Sequence, residues 1–209
     1  MSNLHRLAYL QTRRDRTPNL DLARDLAARE DKAGIREIAE NMWNENKNIH
    51  EDCVHVMYEL GRVDPMWIAP YAQDFIKLLK SKYSDMVSGA MTALSEIAKV
   101  DADFIFKHLD EIKKAKETGS EITVEKAVLA LAHAASANED YNKAIFPDLL
   151  KHLSACRPSE VPQYAELTLH AVNENNKAGF IKTLKKRNDS LSGASFTRLA
   201  KIIRLAEKI

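Results

Sequence analysis

Apolar positions recur in this chain with one spacing, four times over. The segments CVHVMYELG (53–61), AMTALSEIA (90–98), AVLALAHAA (127–135) and AELTLHAVN (165–173) start 37, 37 and 38 residues apart. In each, the first position is small: Cys53, Ala90, Ala127, Ala165. The fourth is small or β-branched: Val56, Ala93, Ala130, Thr168. The fifth is Met57, Leu94, Leu131 or Leu169, and the eighth is Leu60, Ile97, Ala134 or Val172. An i, i+3, i+4, i+7 set is one face of an α-helix. Small residues within that face let a neighbouring helix approach closely.

A turn and a second apolar helix follow each segment. The turns read GRVDP, KVDA, ASANEDY and NENNKAG, and the second helices MWIAPYAQDFIKLLK, ADFIFKHLDEIKKAK, YNKAIFPDLLKHLSA and KAGFIKTLKKR. Asp64 before Pro65 is a helix start, an N-cap with proline at the first helical position. The unit is therefore helix, turn, helix, turn. Two helices cannot bury an apolar face alone, so successive pairs must stack. The pattern predicts an all-α chain and one repeat domain over 1–209. Its parts are an N-terminal cap at 1–19, helix pairs at 20–44, 49–82, 84–118, 123–156 and 159–187, and a capping helix at 195–209.

The unit of about 37 residues, with its AMTALSEIA and AVLALAHAA cores and its VDP turn, resembles the HEAT repeat. The likeness runs from about residue 20 onward. It implies a right-handed α-α superhelix, a HEAT-like solenoid of about five helix pairs, with first helices convex and second helices concave. HEAT families mostly present surfaces to protein or nucleic-acid partners. Some bacterial HEAT-like proteins are alkylpurine DNA glycosylases that grip DNA in a basic concave groove. This chain does not match their catalytic residues, and a fold does not carry an activity by itself.

Composition agrees with helix and adds little about function. The chain has 209 residues, 45% of them apolar, with 6 Gly, 6 Pro and a formal net charge of +1. Two cysteines, Cys53 and Cys156, are too few for a disulfide-stapled secreted domain, so a reducing cytoplasm is expected. No stretch approaches the length of a membrane span. The near-zero charge conceals an asymmetry. Residues 177–209 hold nine Lys and Arg against two Asp and Glu, and residues 1–20 hold four Arg against one Asp. The middle of the chain is acidic.

Candidate chemistry is sparse. HEDCVH (50–55) approaches the zinc-protease pattern, but His50 and His55 are five apart. That is about 140° around a helix, too far to share an ion. The repeat register gives these residues ordinary places: Cys53 in the small core slot, His50 half-buried near a helix start, and His55 at the position equivalent to Thr92, on a more variable face. Trp43, Trp67, Tyr71 and Phe104 sit at helical spacing and read first as core; the alternative is that they stack on bases or anchor a peptide. The remaining histidines are scattered, and no phosphate loop, nucleophile setting, metal cluster or cofactor motif is present. The second helices end in lysine. Lys77, Lys80, Lys113, Lys114, Lys182, Lys185, Lys186 and Arg187, with Arg198, Lys201 and Arg204 on the last helix, form a candidate basic surface. Cations at helix C-termini are also favoured by the helix dipole alone. The leading expectation is a non-enzymatic scaffold that offers a concave helical surface to a protein partner. The alternative is a nucleic-acid-binding protein, related to the glycosylases, that uses the basic ridge.

Overall fold

The computed structural model describes residues 2–188 and 191–209. The helices, in chain order, are α1 (Thr17–Ala28), α2 (Lys32–Glu40), α3 (Lys47–Val63), α4 (Ala72–Leu78), α5 (Ser84–Ile97), α6 (Ala102–Lys107), α7 (Leu109–Thr118), α8 (Glu121–Ala137), α9 (Glu139–Ala155), α10 (Val161–Thr168), α11 (Lys177–Asn188) and α12 (Gly193–Ala206). Short 3-10 turns link several of them, and no strand occurs among the described residues. The chain is all-α. It divides into two compact units, residues 1–127 and 128–209.

The repeat register holds at fifteen of its sixteen core slots. Cys53, Ala90, Ala127 and Ala165 are wholly buried, as are Val56, Ala93, Ala130, Thr168, Met57, Leu94, Leu131, Leu60, Ile97 and Ala134, while Val172 is 8% exposed. Leu169 is the exception, half-buried. α10 stops at Thr168, and Leu169–Ala171 forms a 3-10 turn that rotates the side chain off the helix face.

Turn chemistry repeats with the helices. Asp64 accepts a hydrogen bond from the Met66 amide at 2.9 Å, Asp101 from Phe104 at 2.9 Å, Asn138 from Tyr141 at 2.9 Å, and Asn173 from Asn175 at 3.0 Å. Each side chain satisfies an amide that a helix or turn start would otherwise leave open. Asp31 does the same for Gly34 at 2.8 Å ahead of α2.

The second helices depart from their predicted lengths for identifiable reasons. Pro65 and Pro70 divide the first into turns at Pro65–Trp67 and Ala69–Tyr71, so regular helix begins only at Ala72. Pro70 has no amide proton and its ring would clash with the preceding helical turn. The second splits at His108 into α6 and α7. The N-terminal cap contains a single 3-10 turn, Leu4–Arg6, and α1 starts at Thr17, with Pro18 in its first turn.

In the first unit α1 and α5 pack against α3, and α4 against α5. Gly89 makes the α3–α5 contact close: a Cβ there would lie 2.6 Å from Val54 Cγ1. A buried polar pair ties the cap to this core. Asn19, wholly buried, donates to Asp52 at 2.7 Å, and the two side chains accept the Ala8 and Tyr9 amides at 2.8 and 2.7 Å. In the second unit α11 packs on α9, and α12 on α10 and α11, around Phe180, Leu184, Leu199 and Ile202. There Asn142 donates to the carbonyls of Ala135 (3.1 Å) and Ala171 (2.8 Å), and Asn176 donates to Asn142 at 2.9 Å. Both clusters satisfy buried groups that would otherwise each cost about 1–3 kcal/mol.

Candidate functional site

The HEDCVH stretch lies on α3 and faces inward. Cys53 is wholly buried, and burial, with Asp52 adding to it, pushes its thiol up to about 12. Such a thiol is inert as a nucleophile. His50 is half-buried, and desolvation lowers its pKa. His55 corrects the expectation of a variable face. It is 7% exposed, and its counterpart Thr92 is 4% exposed. Burial, followed by the charges of Arg16 and Arg62, depresses the His55 pKa to about 4. Its imidazole is therefore neutral at pH 7, 3.9 Å from Glu59. Among the described residues no three His, Cys, Asp or Glu side chains gather as metal ligands.

The predicted basic surface falls into two sets. Lys77, Lys80, Lys113 and Lys114 belong to the first unit. Lys77 is exposed in the last turn of α4 and pairs with Asp74 at 3.1 Å. Lys80 follows α4, and Lys113 and Lys114 lie on α7. The second unit holds Lys182, Lys185, Lys186 and Arg187 on α11, and Arg198, Lys201 and Arg204 on α12. Several of these cations are engaged within the unit. Arg187 donates to the Ser154 and Cys156 carbonyls at 2.7 and 2.5 Å, closing the C-terminus of α9. Arg198 forms a two-pronged pair with Glu166 of α10, and Lys185 reaches Glu207 at 3.5 Å. Lys182, Lys186, Lys201 and Arg204 are exposed.

The aromatic residues read as core are not buried. Trp43 is 48% exposed, and Trp67, Tyr71 and Phe104 are half-buried. The proline-broken segment explains two of them. Its 3-10 turns hold Met66, Trp67, Pro70 and Tyr71 along one wall of an open groove of about 550 Å³. The other wall is Ile35 and Arg36 on α2, with Glu30 and Lys32 at its start and Asp64 at the turn. Met66 is 62% exposed. A cavity of this size, apolar along one side with a few charged groups around it, is suited to binding. The prolines at 65 and 70 are the sequence signal for it: a helix that cannot form there leaves its large side chains at the surface.

No protein-family model matches the chain, and no curated protein matches it. Solved structures do. The chain is similar to an engineered protein at 20% identity, over 100% of this chain and 98% of that one, with a TM-score of 0.65. It is similar to a designed armadillo repeat protein in complex with the peptide (KR)4 at 16% identity, over 98% and 99% of the two chains, with a TM-score of 0.68. Kap121p bound to Pho4p aligns at 16% identity over 88% of this chain and 21% of that one, with a TM-score of 0.61. The fold is an armadillo/HEAT-like α-solenoid. Identities this low establish the fold alone. No helix among the described residues is long and apolar enough to cross a membrane.

Proposed function

We propose that the chain is a non-enzymatic scaffold that holds a peptide segment of a protein partner in the groove between α2 and the Pro65–Tyr71 turns. The observation that carries this reading is the row of Met66, Trp67, Pro70 and Tyr71 facing Ile35 and Arg36 across an open groove. Aromatic residues and arginine are the side chains that most often dominate binding energy at protein interfaces. A large apolar side chain of the partner enters against Trp67 and Tyr71, and Arg36 and Lys32 take its polar flank. Solenoid neighbours in complex with a peptide or bound to a protein support the same reading. The two free thiols support a cytoplasmic setting.

The test is selection of peptides from a displayed library, with affinities then measured on the chain and on Trp67→Ala and Met66→Glu variants. Selected peptides should bind the variants at least about tenfold more weakly, a loss of roughly 1.4 kcal/mol or more. Equal affinity for both variants, or no enrichment at all, would exclude the groove.

A further inference from the structure

A second surface of the first unit carries different chemistry. Tyr83, 38% exposed, precedes α5, with Lys47 Nζ 4.6 Å and Lys82 Nζ 5.1 Å from its ring centroid. Trp43 has Lys77 Nζ 6.0 Å from its centroid and the His50 ring at 6.3 Å. Lys47 and His50 lie three apart on α3, so both aromatic groups lie against residues of one turn of α3. Lys82 also lines a cavity of about 210 Å³ between the α4–α5 and α7–α8 turns. Ser81, Ser84, Thr118 and Ser120 line it, with Thr123 wholly buried behind them, and no carboxylate lines it. Several of these hydroxyls have partners. Ser120 and Thr123 bond each other at 3.1 Å, and Thr118 faces the Lys114 carbonyl at 3.5 Å. Ser81 accepts the Tyr83 amide at 3.2 Å, which leaves its own proton to donate.

We propose that this edge binds a single-stranded nucleic acid, with bases stacking on Tyr83 and Trp43 and a backbone phosphate seated beside Lys82 in the hydroxyl-lined cavity. Cation-flanked exposed rings beside a site for phosphate are the elements by which proteins hold single strands without reading sequence. A duplex keeps its base faces covered and cannot offer them to the rings. An acidic peptide would use the lysines and leave the rings and hydroxyls unexplained. Carboxylates do stand nearby. Glu51 pairs with Lys47 at 3.1 Å, Asp74 pairs with Lys77 at 3.1 Å, and Asp85 follows Ser84. The lysines of both pairs are exposed and the carboxylates half-buried; ion pairs open to solvent on one side are weak, and a phosphate can take over their lysines. The inference does not rest on the Trp67–Tyr71 groove.

The experiment is fluorescence anisotropy with labelled oligothymidylate and oligouridylate at about 50 and about 200 mM salt. A matched duplex and a polyglutamate peptide serve as competitors. The single strands should bind, weaken with salt and outcompete both. Tyr83→Ala and Trp43→Ala should each weaken binding by about 5- to 100-fold. Lys82→Glu should weaken it and flatten its salt dependence. All three side chains are exposed, and unchanged thermal unfolding would show that the variants fold. The proposal is overturned by any of three outcomes: no binding at low salt, competition by duplex or polyglutamate as strong as by the strand itself, or unchanged affinity in both aromatic variants.

Discussion

The two units invert what bulk charge suggests. The second is rich in cations, and three of its predicted surface cations are engaged inside the unit. Arg187 closes a helix end, Arg198 ties α12 to α10, and Lys185 reaches Glu207. The first unit contains much of the acidic middle of the chain, yet it exposes Trp43, Met66 and Tyr83 and opens a groove of about 550 Å³. A count of charges points to one end of the chain; the second unit also exposes Phe196, Leu205 and Ile209, but the groove lined by exposed apolar side chains lies in the first. Charged side chains are normal on a surface and usually solvated there. Large apolar side chains left in water carry an unfavourable free energy and therefore discriminate better.

If the units share one repeat logic, their cores should respond alike. Leu94→Ala in the first and Leu131→Ala in the second should each destabilise by about 2–5 kcal/mol, read by urea denaturation, since both leucines are wholly buried. A near-zero change in one would confine the repeat to the other unit.

The next effect belongs to the first unit alone. The pKa of His55 is lowered in the folded chain from 6.5 to about 4. Its contribution to stability is therefore complete above pH 6.5 and is lost as pH falls towards 4, because only the unfolded chain takes up the proton in that window. The loss is on the order of 3 kcal/mol. Denaturation curves for the chain and for His55→Gln should converge or cross through this range. Parallel curves would remove His55 from the account.

The smallest effects separate engaged cations from solvated ones in the second unit. Arg187→Ala should cost about 1–3 kcal/mol, because two carbonyls at the end of α9 lose their donor. Arg198→Ala should cost less than about 1 kcal/mol, and Lys186→Ala within about 0.5 kcal/mol of nothing. Equal changes at all three positions in thermal melts would mean that Arg187 is as replaceable as a surface lysine.

Much of the architecture could be read from spacing alone. Small, small, long and apolar residues at 37-residue intervals place four helices in register, and the structure buries fifteen of those sixteen slots. The Asx residues at 64, 101, 138 and 173 carried a second periodic signal, of which only the Asp64–Pro65 start is obvious without coordinates. The candidate sites were harder to read. Trp43, Trp67 and Tyr71 have the spacing of core residues, and periodicity does not distinguish a buried helix face from one that later lacks a neighbour.

The sequence by itself determined the local and periodic features: helix pairs, their caps, the breaks at Pro65 and Pro70, and the core slots. These depend on backbone chemistry and on residues a few positions apart. The tertiary structure alone decided which polar groups met. It brought Asn19 to Asp52, Asn142 to Ala171 and Asn176, Arg187 to the end of α9, and Thr118 and Ser120 to the cavity beside Lys82. Partners separated by tens of residues leave no periodic trace in one chain, because a hydrogen bond or an open groove depends on where the folded elements come to rest.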